Sequence, residues 1–161
     1  MNTVNPAATD FDAVVVGAGF AGIYSLQNLR TKGFKTRVYE AAGGVGGTWY
    51  WNRYPGARCD IPSLQYSYSF DEQLQQEWQW KNKYSDQADI LEYANHVVDR
   101  FDLRQDIQFN TRIVSAIFAE DQNFWTITTD AGESVTARHF VLATGCLSTA
   151  NIPEFAGFDD Y

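Results

Sequence analysis

Gly17, Gly19 and Gly22 stand in the spacing Gly-x-Gly-x-x-Gly, with Ala18, Phe20 and Ala21 between them. That spacing suits the capture of a diphosphate. The first glycine permits a tight turn. The second leaves no side chain between an anion and the backbone, and the third lets a following helix pack closely on the preceding strand. The diphosphate then sits at the positive end of the helix dipole. Glu40 follows eighteen residues beyond Gly22. Its carboxylate can accept hydrogen bonds from ribose hydroxyls and repels a ribose 2′-phosphate, so FAD or NAD fits here better than NADP. A lone glycine string is weak evidence, and its weight depends on the elements around it.

Those elements are in place. Phe11–Val16 (FDAVVV) is a short apolar, β-branched run suited to a strand buried on both faces. In 23–31, Ile23, Leu26 and Leu29 fall at helical spacing, and Gly33 ends the helix. Residues 35–40 (KTRVYE) read as a second strand, completing a βαβ unit of the usual size. A second glycine cluster, Gly43, Gly44, Gly46 and Gly47, leads into Thr48 and Trp49, where a plain dinucleotide-binding half would start another βα repeat. It points to a longer ligand approached closely along both halves, which favours FAD.

Further along, residues 49–84 form an aromatic loop region with four of the five tryptophans, of which Trp78 and Trp80, with Tyr84, are expected to pack on the next helix. Ser85 is the expected cap of that helix, which runs to about Phe101 with Ile90, Ala94, Val97, Val98 and Phe101 on one face and His96 on the polar face. Residues 106–111 read as a strand. Residues 112–119, 124–129 and 133–137 read as a three-stranded antiparallel meander turning at Asp130-Ala131-Gly132. His139 falls in a turn before a final buried strand, 140–143, which closes on Thr144-Gly145, and Pro153 marks an exit loop.

The composition sets the limits. A chain of 161 residues with 45% hydrophobic and 20% charged residues is one globular domain in size and is neither disordered nor fibrous. Twenty acidic against twelve basic side chains, a formal charge of −8, argue against nucleic acid or an anionic membrane as a partner. The first ten residues lack the basic and apolar regions of a secretory signal, and no apolar run approaches the ~18 residues of a membrane span. Cys59 and Cys146 read as free thiols of a cytoplasmic protein. No cluster of His, Cys or carboxylates has metal-ligand spacing.

Residues 11–40, the run GGVGGTWYWNRYPGARCDIPS at 43–63 and LATG at 142–145 together resemble the N-terminal FAD-binding part of class B flavin monooxygenases, and more closely that of the Baeyer–Villiger monooxygenases acting on ketones. The most specific stretch is 49–60. The resemblance implies an α/β fold of the glutathione-reductase type, a Rossmann-like parallel sheet with a three-stranded meander, over 11–149. A disordered arm would precede it at 1–10, and an exit linker towards an NADP-binding domain would follow at 150–161. Gly17, Gly19 and Gly22, with Phe20 and Ala21, would hold the FAD diphosphate, and Glu40 the adenosine ribose. Gly47, Thr48 and Trp49 would line the flavin-side path. Tyr66 would lie near the isoalloxazine or ribityl portion, and the backbone around Ile113 would meet the adenine edge. Thr144 and Gly145 would lead towards the NADP-binding domain. Asp60, with Arg58 beside it, would face flavin and nicotinamide as the catalytic carboxylate.

The implied reaction uses FAD, NADPH and O2 to insert oxygen beside a ketone carbonyl, giving an ester or lactone. Two related readings share these residues: oxygenation of nitrogen or sulfur, and a non-catalytic FAD-binding module. The family's Phe-x-Gly-x-x-x-His-x-x-x-Trp fingerprint, its second glycine motif and its catalytic arginine do not occur in these residues. The chain is therefore expected to hold one half of the cofactor site, to be inactive alone, and to need the remainder of an enzyme as its partner.

Overall fold

The computed structural model describes residues 8–147 and 152–160. Its centre is strand β1 (Phe11–Val16), whose Ala13, Val14 and Val15 are fully buried. β-branched side chains with both faces covered suit a strand that pairs on both edges. β1 runs parallel to β2 (Thr36–Tyr39) on one side and parallel to β6 (Ser134–Leu142) on the other. With β3 (Ile107–Gln108), β4 (Ile113–Ala119) and β5 (Phe124–Thr129), these strands form one six-stranded sheet in the order β3-β2-β1-β6-β5-β4. Helix α1 (Phe20–Thr31) makes the crossover from β1 to β2. Between β2 and β3 come α2 (Thr48–Trp51), a 3-10 turn at Ser63–Tyr66, α3 (Glu72–Glu77) and the long α4 (Gln87–Arg100).

Because successive strand residues point to opposite faces, Val14 and Val15 enter two different cores. Val15 and Val38 meet Ile23 and Leu26 of α1 and Tyr93, Ala94, Val97 and Val98 of α4 in the larger core. Val14 and Tyr39 meet Ile127, Val135 and Ala137 of the meander in the smaller one. Trp78 and Trp80 pack against the larger core as expected, whereas Tyr84 is 39% exposed under the Lys83 ammonium. Among the described residues no helix is long and apolar enough to cross a membrane.

The expected parallel unit and three-stranded meander are present, with five local corrections. The third meander strand and the final strand are one: β6 runs unbroken, antiparallel to β5 up to Ala137 and parallel to β1 from Ala137 on. Pairing with β1 overrides the turn tendency at Arg138-His139, so His139 lies within the strand opposite Ala13, its ring 5.9 Å from that of Phe34. The strand expected over 106–111 shortens to Ile107–Gln108, because Asn110 adopts φ 52° and residues 110 and 111 donate to Ala42 and Glu40 carbonyls instead of a ladder. α1 starts three residues before Ile23, at Phe20. Asp86 and not Ser85 caps α4, its carboxylate accepting from Asp89 N–H at 3.0 Å. His96 of α4 is half-buried against Trp78, ring centroids 5.2 Å apart, and not on the solvated face.

Of the expected N-terminal arm, residues 1–7 lie outside the described residues, while Asp10 is tied to β6. Its carboxylate accepts from Thr136 Oγ1 at 2.7 Å and Thr136 N at 2.8 Å. The Thr136 hydroxyl, first, and its amide hold the Asp10 carboxyl below its ordinary value of 3.8. A carboxyl so lowered stabilises the fold above its ordinary value and loses that contribution as pH falls through the lowered one. Asp10→Asn is expected to reduce the melting temperature slightly at neutral pH. Thermal scans across acid pH should show the difference from the parent closing below 3.8.

Candidate dinucleotide-binding site

The glycine turn is shaped by backbone contact. Gly17 has φ +100°, and a Cβ there would lie 2.6 Å from the Ala143 carbonyl oxygen at the end of β6. A Cβ on Gly22 would fall 1.8 Å from Gly17 O, a backbone atom that cannot move aside. The start of α1 is thereby pressed against the ends of β1 and β6, where Ala143 N donates to Val16 O at 2.9 Å. Thr144 follows at once, its Cα 3.6 Å from where a Gly17 Cβ would stand, and Gly145 continues into exposed chain.

α1 then begins with Gly19 at its N-cap, with no capping side chain and no acidic residue in its first turn. α3 and α4 differ: Asp71 caps one and Asp86 the other. The first-turn N–H groups of a helix have no intrahelical acceptor, so at α1 those of Phe20 and Ala21, with the positive helix end, face outward for an anion. The second glycine loop closes the cradle. Gly46 N donates to Ala18 O at 2.9 Å, and Gly47, at φ +55°, approaches so closely that a Cβ on it would lie 2.9 Å from Gly19 Cα. A side chain at Gly47 would stand against the start of α1, where a diphosphate would lie, so the residues present fit that group.

Glu40 is 6% exposed. Its Oε2 accepts from Ala18 N at 2.6 Å and its Oε1 from Ala42 N at 2.7 Å. The carboxylate thus locks the glycine turn to the chain leaving β2, and each oxygen keeps acceptor capacity for a ribose hydroxyl. Ile113 stands at the start of β4, packed on the smaller core. Two residues earlier, Thr111 N donates to Glu40 O at 2.9 Å.

An aromatic wall adjoins this cradle. Tyr66 meets Phe20 edge-on at 5.4 Å and Trp49 at 5.7 Å, and Cys59 and Ile90 complete the cluster. Tyr68 Oη donates to the Phe20 carbonyl at 2.7 Å, and Tyr93 Oη accepts from Tyr68 N at 2.8 Å. Burial raises the Tyr66 phenol, with the nearby Cys59 and Asp60 adding to the shift, and burial pushes the Tyr93 phenol up to about 12.

The structure therefore gathers Gly17, Gly19, Phe20, Ala21, Gly22, Glu40, Gly47 and Thr144 at the cradle, and Trp49 and Tyr66 at the wall beside it; Thr48 starts α2, and Asp60 is exposed next to buried Cys59, near enough for its charge to act on Tyr66. Arg58 stands apart: its guanidinium donates to Tyr84 O at 3.4 Å, and among the described residues it forms no ion pair with Asp60. Arg58 and Asp60 are exposed and alternate with buried Ala57 and Cys59. Open cavities of about 350 and 410 Å³ lie elsewhere, beside Phe34 and beside Arg53, and touch none of the expected site residues.

One group of functional side chains escapes a reading of the sequence. Residues 52–86 hold little regular structure, yet Cys59, Asp60 and Tyr66 must be held in place. Ser63, Ser85 and Asp89, all at most 2% exposed, do this. Ser63 Oγ donates to Ser85 Oγ at 2.9 Å and accepts from Ser85 N at 2.8 Å, and Ser85 Oγ donates to Asp89 Oδ2 at 2.5 Å. A short antiparallel bridge runs alongside, with Cys59 N donating to Ser85 O at 3.0 Å and Gln87 N to Ala57 O at 2.8 Å. The signal available was Asp89 itself, a carboxylate one residue before buried Ile90 in the first turn of an amphipathic helix.

A family model described as pyridine nucleotide-disulphide oxidoreductase matches residues 11–161. A phenazine N-monooxygenase of Lysobacter antibioticus is 52% identical over 154 residues, covering 95% of this chain and 28% of that protein. A Baeyer-Villiger monooxygenase of Pseudooceanicola batsensis is 48% identical over 153 residues, covering 94% and 28%. Among solved structures, oxidized steroid monooxygenase bound to NADP superposes with TM-score 0.88 at 56% identity, over 92% of this chain and 29% of that one. The chain thus spans less than a third of the length of these relatives. The resemblance drawn from residues 49–60 and the two glycine loops is borne out.

Two outcomes follow from the geometry. Gly22→Ala places a methyl on a backbone carbonyl and is expected to cost about 2–4 kcal/mol in urea unfolding. Asp89→Ala removes the 2.5 Å acceptor of the buried Ser85 hydroxyl, leaving only the Asn82 carbonyl at 3.4 Å, and is expected to cost about 1–3 kcal/mol in the same measurement.

Proposed function

The chain belongs to the pyridine nucleotide-disulphide oxidoreductase family, and from that premise we propose that it is the FAD-binding portion of an NADPH-dependent flavin monooxygenase that inserts oxygen beside a ketone carbonyl, giving an ester or lactone. The observation that carries the reading is the start of α1: uncapped, free of acids, and faced by Gly47 at a position where a Cβ would press on Gly19 Cα.

FAD, when bound, supplies the redox chemistry and the activation of O2. The chain's own residues bind, orient and shield. The first-turn N–H groups at Phe20 and Ala21 meet the diphosphate charge. Glu40 accepts from the ribose hydroxyls while still holding the Ala18 and Ala42 amides. Phe20, Trp49 and Tyr66 form an apolar wall that keeps water from the flavin side, which strengthens the electrostatic interactions inside. Asp60 brings a carboxylate to the rim of that wall, and no cation among the described residues pairs with it. Its proposed role is to orient a guanidinium supplied from outside these residues, so that positive charge stands near the developing oxyanion. NADPH and the ketone would bind mostly to parts of the enzyme outside this chain.

Oxygenation of an aromatic nitrogen is a second reading, favoured by the similarity to the phenazine N-monooxygenase. Both chemistries use the same FAD half. The ketone reading is preferred on the similarity to the Baeyer-Villiger and steroid monooxygenases, and comparing ketone with N-heteroaromatic substrates on the complete enzyme separates the two.

A flavin-fluorescence titration of the chain tests the shared part. FAD is expected to bind saturably but weakly, and Glu40→Gln to weaken it by about tenfold, the effect of losing hydrogen bonds to a charged group. Oxygen uptake dependent on NADPH and ketone is expected to be absent from the chain alone, and turnover there would contradict the half-site reading.

A further inference from the structure

A row of rings in contact leads from the wall beside the cradle to α4. Tyr66 meets Phe20 with ring centroids 5.4 Å apart, and Phe20 meets Tyr93 at 6.2 Å. Tyr93 meets Trp80 at 4.9 Å and Trp78 at 5.2 Å. Trp80 also packs on the small core that holds Trp49, so wall and tryptophans are joined twice. Ring contacts within about 7 Å are ordinary in an apolar core. The far end of the row is not ordinary. Trp78 Nε1 and His96 Nε2 are both buried, and neither has a hydrogen-bond partner among the described residues. Their rings lie against each other, centroids 5.2 Å apart and planes 35° from parallel. Trp80 differs, its Nε1 donating to Ser67 Oγ at 2.9 Å. A buried polar group left unpaired is costly, and a redox role is one of the few reasons a protein keeps one.

The two side chains have matching chemistry. An indole gives up one electron more readily than a phenyl ring, or than a phenol that cannot shed its proton. Tyr68, which also touches this row, is such a phenol: its O–H donates to the Phe20 carbonyl at 2.7 Å, an oxygen that cannot take the proton. An indole that has lost an electron becomes a strong N–H acid. Trp78 has only that one donor, and an imidazole nitrogen can take up a proton. The acids closest to the two rings along α3 and α4 are engaged elsewhere. Glu77 is held by Gln73 and Arg100, Glu92 by Lys81 and Asp99 by Arg104. His96 is the base left to face Trp78.

We propose that Trp78 and His96 are the redox-active end of a path of rings that drains stray oxidising equivalents from the flavin wall. The path rests on the FAD reading above. One electron passes from Trp78 through the intervening rings to a one-electron oxidant at the wall, for which photoexcited FAD is the defined case. The indole N–H proton moves to His96 Nε2. The oxidant is thereby reduced by one electron, and a neutral Trp78 radical and a protonated His96 remain. A thiolate from solution supplies the replacement electron, itself becoming a thiyl radical, and His96 returns the proton. Such a path spares the residues that hold a cofactor able to activate O2.

Transient absorption of the full chain saturated with FAD, after a blue flash, tests it. A neutral tryptophanyl radical is expected within the complex, told apart from the indole cation radical by its visible absorption. Trp78→Phe should lose it, while Trp125→Phe, on the smaller core, should keep it. His96→Phe keeps a ring against Trp78 and should leave the cation radical in place of the neutral one. The parent chain, which needs no substitution, should form the neutral radical more slowly in D2O. Bound flavin that yields no tryptophanyl radical overturns the path and leaves the FAD reading standing. So does a neutral radical that persists in Trp78→Phe or forms equally well in His96→Phe. A flavin-fluorescence titration showing no binding at all overturns both.

Discussion

Backbone against backbone at the end of β1 is the contact on which the molecule turns. Gly22 lies where any Cβ would strike the Gly17 carbonyl, and Gly17 lies where any Cβ would strike that of Ala143. Three elements, β1, α1 and β6, can converge only because these positions carry no side chain. That convergence sets where α1 starts. It also aims the uncapped first turn at the space between the two glycine loops. The burial of Val14 and Val15 in opposite cores keeps β1 rigid beneath this point. The cradle is thus built on the most buried strand of the fold.

Charge is placed with the same economy. The molecule is acidic overall, yet the start of α1 has no carboxylate in its first turn, while the two capped helices each have one at their starts. The one buried acid at the cradle, Glu40, has two backbone amides to satisfy it. Asp89 plays a matching part for the aromatic segment. Its carboxylate is buried, which is costly for an isolated charge, and it is met by the Ser85 hydroxyl and by Lys81 Nζ at 3.6 Å. Through Ser85 and Ser63 it holds the segment bearing Cys59, Asp60 and Tyr66 against α4. Two buried carboxylates, one for each half of the site, therefore keep in place chain that has little regular structure of its own.

Much of this was legible in the residues. The glycine spacing, the strand before it and Glu40 after it describe local chemistry at fixed offsets, and local chemistry survives folding. The three-stranded meander was equally clear from alternation and turn residues. Most of the failures arose where partners outside the local segment, or a competing local hydrogen bond, decided the outcome. β6 looked like two strands because its local preference breaks at Arg138-His139, and only pairing with β5 and then β1 joins them. Asp86 displaced Ser85 as the cap because the Ser85 hydroxyl was engaged by Asp89. The Ser63–Ser85–Asp89 chain spans more than twenty residues, and no periodicity marks it. Arg58 and Asp60, neighbours in sequence, do not pair, since the guanidinium turns towards Tyr84 O.

The central claim is that the first turn of α1, faced by Gly47, receives the diphosphate of an adenine dinucleotide. Amide-resolved NMR of the chain titrated with FAD tests this most directly. The expected result is that the N–H resonances of Gly19, Phe20, Ala21 and Gly47 move together and saturate with a single affinity, while those of β4 and β5 stay in place. Saturable binding that leaves these four amides unmoved, or shifts centred on another part of the surface, would contradict it.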